Sequence, residues 1–223
     1  MTAAAHHEEG GTVVGPLTPA LLDAAGDLHS RALPDGFLSQ LGPRFLRRYL
    51  ATFSHVPGGI ALASSTSDGR FSGFLVGTTV AGHNRLALQL SWRTLLPAAA
   101  AGLAVRPVVL LHFLRTRLGR YARTAWKARR RGSAPHEGVG ARGPAARTAV
   151  LLHVAVSPDL RGQGTGAMLV EEFVRRAREA GCARARLVSF GDTAEFYRRL
   201  GWSRLASQID DGGRDVTTWG RAL

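Results

Sequence analysis

The stretch from Asp159 to Val170, DLRGQGTGAMLV, sets Gly162, Gly164 and Gly166 at alternate positions between Arg161 and an apolar run. A turn joining a strand to a helix aims successive backbone N–H groups at one point, and the helix dipole adds about half a positive charge there. Anions bind in such places. Glycine lets the backbone approach a ligand closely because no Cβ intervenes, and Arg161 can add a charge-assisted hydrogen bond. The chemistry suits a phosphate or pyrophosphate. Gly162, Gly164 and Ala167 also satisfy a dinucleotide-binding GxGxxA pattern, but Asp192 lies later than the acid expected about 20 residues on. A glycine-rich helix entry without any ligand is the plain alternative.

The elements that must position this turn are legible around it. TAVLLHVAVS, before it, is nearly continuously apolar and reads as a strand buried in a sheet centre. GAMLVEEFVRRAREAG, after it, carries Leu169, Phe173, Val174 and Ala177 as one stripe of an amphipathic helix that Gly181 ends. ARARLVSF returns as a strand and completes a β-α-β unit. DTAEFYRRLGW reads as a short helix with Asp192 as N-cap and Glu195 in capping-box position, and WSRLASQID with RDVTTWGRA as a last hairpin. Upstream, Thr12–Gly15 reads as a strand, followed by a helix from Thr18 and Pro19 towards Arg31 and a second helix in RFLRRYLATF. GIALASST and RFSGFLVGTT form a hairpin across Ser67, Asp68 and Gly69.

At 223 residues the chain suits one domain, 1–223, interrupted by an insertion over 84–147. The net charge of +13 is concentrated there: Arg85 to Arg147 carries +12, and the remainder is near neutral. The insertion reads as helical and then Gly-, Pro- and Arg-rich. Its apolar run from Leu95 to Leu114 is interrupted by Pro97, Arg106 and Pro107, which argues against a membrane span and for packed or interfacial helices. A basic segment can attract an anionic substrate, touch acidic lipid or serve as a solvated face. Nucleic acid is not expected, because few aromatics lie among the arginines beyond Tyr121 and Trp126. Cys182 is the sole cysteine, which rules out an intrachain disulfide framework, and no secretory signal is visible, so the cytoplasm is the expected compartment.

HVAVSPDLRGQGTGAML, followed about 30 residues later by EFYRRLGW, resembles the Gcn5-related N-acetyltransferase (GNAT) family. That family's acetyl-coenzyme A motif is an apolar strand, R/Q-x-x-G-x-G/A and a helix. Arg161, Gly164 and Gly166 stand at the three motif positions, FYRRLGW resembles the recurring FYxxxGF, and the strand and helix order from Thr12 to Thr79 agrees. The resemblance implies an α/β fold of the acyl-CoA N-acyltransferase kind, with a mixed, mostly antiparallel sheet splayed at the cofactor site. It implies acetyl-CoA as cosubstrate. Val154, Ala155 and Val156 would meet the pantetheine arm, and Arg161, Gly162, Gln163, Gly164, Thr165 and Gly166 the pyrophosphate. Asp192 would replace an Asn often found at the position of Phe190.

Acetyl transfer to an amine needs a deprotonated amine, a stabilised oxyanion and a proton for the departing thiolate. The resemblance puts Tyr197 at the family's usual tyrosine, where a hydroxyl can protonate the sulfur; the alternative is that Tyr197 only packs. Many members carry a carboxylate where this chain has Val150. His153 is the nearest titratable substitute, although strand alternation puts it on the face opposite Val150 unless a bulge intervenes. His29, Asp35, His83 and Glu137 are weaker candidates, and no metal site is visible.

The acceptor is expected over the N-terminal helices and the insertion. A faint resemblance of FLSQLGPRFLRRYL and the helical insertion to bacterial members found among genes for surface polysaccharides or specialised metabolites points to a small amine, an amino sugar or specialised metabolite, anionic if the insertion attracts it. Homodimerisation is compatible with this reading. A non-catalytic acyl-CoA sensor, and a basic binder of nucleic acid or membrane surfaces on the same fold, are the alternatives.

Overall fold

The computed structural model describes residues 11–34, 36–80, 91, 93–95, 97–102, 147–191, 193–210 and 213–223. Strand β1 (Thr12–Pro16) leads through a 3-10 turn at Pro19–Leu21 into helix α1 (Leu22–Ala32). Thr18 therefore begins the 3-10 turn, and the α-helix proper starts later than the sequence suggests. A short helix α2 (Phe37–Gln40) precedes α3 (Pro43–His55), then come β2 (Gly59–Thr66) and β3 (Phe71–Thr78). From residue 148 onwards follow β4 (Thr148–Val156), α4 (Thr165–Glu179), β5 (Arg184–Phe190), α5 (Ala194–Arg199), β6 (Ser203–Ile209) and β7 (Asp215–Ala222).

The strands form a mixed sheet in the order β1-β2-β3-β4-β5-β7-β6. All neighbours are antiparallel except β4 and β5, which the crossover through α4 makes parallel. Each face has its own core. On one, Leu169, Val170, Phe173, Val174 and Ala177 of α4 pack on Leu62, Leu75, Leu151 and Leu187, with Tyr197 and Trp219 beside them. On the other, Leu28 of α1 and Tyr49, Leu50 and Phe53 of α3 pack on Ala61, Phe74 and Val76. The helical repeat of apolar residues in α3 and α4 is what supplies these stripes.

The described residues from the segment read as an insertion join the second core. Residues 93–95 and 97–102 are helical, Leu95 is buried with Tyr49 and Leu50, and Arg48 Nη1 donates to the Thr94 carbonyl at 2.8 Å. Gly102 lies so close to α2 that a Cβ there would sit 1.9 Å from the Leu41 carbonyl oxygen. Most of the 84–147 insertion lies outside the described residues, as do Asp35, His83, Glu137 and Asp192. Among the described residues, no helix is long and apolar enough to cross a membrane.

Candidate active site

The two central strands part company halfway along. Thr148 to Leu151 pair with Arg184 to Leu187, and there the β4–β5 ladder stops. Beyond it, Val154, Ala155 and Val156 pair only with β3, while Val188, Ser189 and Phe190 pair only with β7. A gap flanked by strand backbone therefore opens towards the carboxyl ends of β4 and β5. Backbone groups at such an edge retain free hydrogen-bonding capacity and suit an extended, amide-containing ligand.

The glycine turn closes the end of this gap. Ser157 N–H donates to the Ser72 carbonyl at 2.8 Å, a 3-10 turn covers Pro158–Leu160, and Asp159 pairs with Arg70 from the β2–β3 hairpin. Gly162 and Gly164 take φ values of +78° and +82°, a region that L side chains rarely adopt, and nothing stands within 4 Å of where their Cβ atoms would be. Residues 161–164 are exposed. Gly164 is the N-cap of α4, with no side-chain cap, and the first intrahelical bond runs from Met168 N–H to its carbonyl at 3.0 Å. The N–H groups of Thr165, Gly166 and Ala167 thus precede any helical partner, at the positive end of a 15-residue helix. A Cβ at Gly166 would make ordinary contacts, 3.4 Å from the Phe196 ring and 3.6 Å from Val156 Cγ2, which places the start of α4 beside the end of β4 and α5.

Of the residues read as cofactor ligands, Val154 to Val156 flank the gap and Arg161 to Gly166 form the turn. Gln163 is exposed on it, whereas the Thr165 side chain is buried, leaving its backbone N–H as the group available to a ligand. Arg161 Nε donates to the Val156 carbonyl at 3.3 Å, tying the turn to the strand edge. The N-cap of α5 is Thr193, one residue later than the sequence suggests, because α5 begins at Ala194. Glu195 pairs with Arg198 at 3.1 Å and Arg199 at 3.9 Å, and its expected capping-box partner Asp192 lies outside the described residues. Thr193 itself escaped the sequence reading. Its Oγ1 is buried without a hydrogen-bond partner, just past the end of β5. An N-cap type residue there was the available signal.

Tyr197 projects from α5 into the core beneath the gap, its ring centroid 5.0 Å from Phe196, 5.8 Å from Trp219 and 6.3 Å from Trp202. It is buried, and that burial pushes its hydroxyl up to about 12, so it stays protonated across the physiological range.

On the other face, the register between β3 and β4 slips by one residue: Val76 faces His153 and Gly77 faces Leu151, leaving Leu152 as the extra residue of a bulge. The bulge turns His153 to the α1/α3 face that Val150 also faces, correcting the alternation expected of a regular strand. His153 is half-buried. Its ring meets His29 of α1 edge-on at 4.8 Å and lies 6.0 Å from Tyr49 of α3. His29 is fully enclosed, its Nδ1 shares a hydrogen bond with Ser39 Oγ at 3.1 Å, and its Nε2 is buried without a partner. Desolvation, with the neighbouring His29, holds the His153 pKa down to about 3, and desolvation lowers His29 as well. Both are neutral imidazoles at neutral pH. Sequence spacing brings none of Ser39, His29, Tyr49 and His153 together; only the helix packing does.

Strands β5, β7 and β6 have no described helix over this same face. Arg184, Arg186, Val188 and Phe190 are exposed along β5, with Ala185, Leu187 and Ser189 buried between them. The described residues hold no group of three or more His, Cys, Asp or Glu that could ligate a metal ion.

Comparison with known proteins accounts for this arrangement. Residues 123–204 match the family model for an acetyltransferase (GNAT) domain, a span that includes β4, the glycine turn, α4, β5 and α5. Three solved structures share the fold. Aminoglycoside 6'-N-acetyltransferase complexed with coenzyme A aligns over 94% of this chain and 96% of its own, with a TM-score of 0.55 and 11% identity. Ard1 from Thermoplasma volcanium aligns over 96% and 98%, with a TM-score of 0.53 and 14% identity. The ribosomal-protein-S18-alanine N-acetyltransferase from Escherichia coli aligns over 95% and 94%, at 0.53 and 14%. No curated protein matches the chain in sequence. Residues 123–204 thus match a GNAT acetyltransferase domain, and the chain is an N-acetyltransferase with acetyl-CoA as its cosubstrate.

Proposed function

We propose that this protein transfers the acetyl group of acetyl-CoA to the primary amine of a small molecule, an amino sugar or specialised metabolite, by direct attack while both substrates are bound. The observation that carries this reading is the β4–β5 gap running into the glycine turn. The strand edge at Val154, Ala155 and Val156 takes the amide-bearing arm, and the turn from Arg161 to Gly166 takes the pyrophosphate through the Arg161 side chain and the backbone N–H groups that follow it. Thr193 Oγ1, buried and unpaired, is a further donor for the arm. Asp192 retains its expected contact with the arm as part of the same proposal.

In the reaction the amine nitrogen bonds the acetyl carbonyl carbon and the carbon–sulfur bond breaks. One proton leaves the nitrogen and one is delivered to the sulfur. Tyr197, held protonated by burial, donates to the departing thiolate. His153 receives the amine's proton only in passing, because an imidazole with a pKa near 3 does not keep it, and hands it to solvent at its exposed edge. No carboxylate stands at Val150 to hold an ammonium, so the neutral fraction of the amine sets the rate. The lone buried cysteine fits the cytoplasm as the working compartment, and the resemblance to bacterial members fits a bacterial source.

The testing experiment combines thermal stabilisation by acetyl-CoA with thiol release across a panel of small amines. Stabilisation together with amine-dependent thiol release supports the reading. Stabilisation without release from any amine would favour a cofactor sensor, and no stabilisation at all would defeat the proposal.

A further inference from the structure

The open sheet face beside the gap has a chemistry of its own. On β5, Arg184 and Arg186 stand on the same side as Val188 and Phe190, and this side is exposed. Arg186 pairs in register with Val150, so it belongs to the face that also bears His153. One strand residue adds about 3.3 Å, which puts Arg186 about 7 Å along the strand from Val188, the first β5 residue past the end of the β4 ladder. Neighbours on β4 and β7 in these rows, Val150, Gly220, Thr218 and Val216, carry no charge, and the Arg214 guanidinium that lies 5.4 Å from the Phe190 ring centroid is paired with Asp210.

These arginines have no carboxylate partner among the described residues. Elsewhere the described chain pairs many of its arginines: Arg175 and Arg176 with Glu172, Arg214 with Asp210, Arg221 with Glu171. A guanidinium fork matches carboxylate and phosphate oxygens bidentately. Apolar side chains on the adjoining stretch of the same strand suit the uncharged body of the same ligand.

We propose that the acceptor amine carries an anionic group, carboxylate or phosphate, seated on Arg186 with Arg184 behind it, and that its apolar part lies along Val188 and Phe190 towards the gap. This rests on the acetyl-transfer reading above and narrows its substrate class.

Matched probes test it. Glycyl-phenylalanine is compared with its C-terminal amide, and the phenolic phosphate ester of tyramine with tyramine, by thiol release from acetyl-CoA. The wild-type protein, the double variant Arg184→Gln/Arg186→Gln and Arg178→Gln are used; Arg178 is exposed on α4, against the opposite face. The anionic member of at least one pair should have a kcat/KM about tenfold above its neutral partner, a typical return for a charge-assisted bidentate contact. That advantage should fall to about twofold or less in the double variant and persist in Arg178→Gln. Preference confined to the dipeptide pair assigns a carboxylate, and preference confined to the tyramine pair a phosphate. Equal or faster use of both neutral members, an advantage that survives the double substitution, or failure of every probe with a protein still stabilised by acetyl-CoA overturns the proposal. Loss of acetyl-CoA stabilisation in the wild type would instead remove the reading beneath it.

Discussion

On the face covered by α4 and α5, the core is continuous from Ile60 to Trp219, and the groups offered to a ligand are mostly backbone: the strand edge at Val154 to Val156 and the N–H groups from Gly162 to Gly166. On the other face, α1 and α3 pack on β2, β3 and β4, no described helix covers β5, β7 and β6, and the groups on offer are side chains: His153, Arg184, Arg186, Val188 and Phe190. The difference separates two tasks. A cosubstrate common to a family can be held by backbone, which any sequence with glycines in the right places supplies. An acceptor that differs between members must be read by side chains, which vary freely on an open face.

Substitutions that touch one side and not the other should affect the two tasks separately, and the expected effects differ in size. The largest effect is expected from Tyr197→Phe. Loss of the proton donor should lower kcat by about a hundredfold, within the range for general acid catalysis, while acetyl-CoA affinity changes little. Steady-state kinetics with any confirmed acceptor separates the two quantities. A fall in affinity with unchanged kcat would make Tyr197 a packing residue only.

Next is Gly164→Val. A β-branched residue at φ +82° is strained, and its side chain stands where phosphate oxygens would approach. Acetyl-CoA affinity should weaken by roughly tenfold or more, beyond what the accompanying loss of stability explains. Calorimetric titration alongside a melting curve checks this.

A smaller effect distinguishes the acceptor face by pH. The folded protein keeps His29 and His153 neutral, whereas the unfolded chain takes up protons at imidazoles near 6.5. Unfolded protein therefore binds more protons below that value, and stability falls as the pH drops from about 6.5 towards 3. His153→Asn should flatten the slope between pH 6.5 and pH 5, a window above most carboxylate titrations. Denaturant melts at the two pH values report it; an unchanged slope would mean that His153 titrates normally.

The smallest change is expected for Arg70→Ala, which removes an exposed ion pair steadying the start of the turn. Such pairs contribute about 0–1 kcal/mol, so acetyl-CoA affinity should fall by about fivefold at most.

Legibility in the sequence follows the same division. The β-α-β unit, the glycine turn and the last hairpin could be read because their signals are local: alternate glycines, an apolar stripe with a 3.6-residue period, and turn residues between β-like runs. The gap could be expected only through the family resemblance, since nothing in TAVLLHVAVS marks where its parallel partner ends. On the acceptor face the reading ran short for a physical reason. The side to which His153 points depends on a bulge at Leu152, its neighbours His29 and Tyr49 arrive from two different helices, and Ser39, bonded to His29, comes from a third. The exact N-cap of α5 was missed by one residue, because Asp192 and Thr193 are both good capping types and only the backbone chooses between them. Arg186 gave no signal, as its meaning lies in the strands beside it.

The central claim is that the strand gap and the glycine turn together hold acetyl-CoA while the opposite, open face is left to the acceptor. Amide hydrogen exchange of the full chain with and without acetyl-CoA tests it most directly. Protection should rise at residues 154–156 and 161–167 and stay unchanged along β6 and at Val188. Protection absent from the turn, or centred on β6 and β7, would contradict the account.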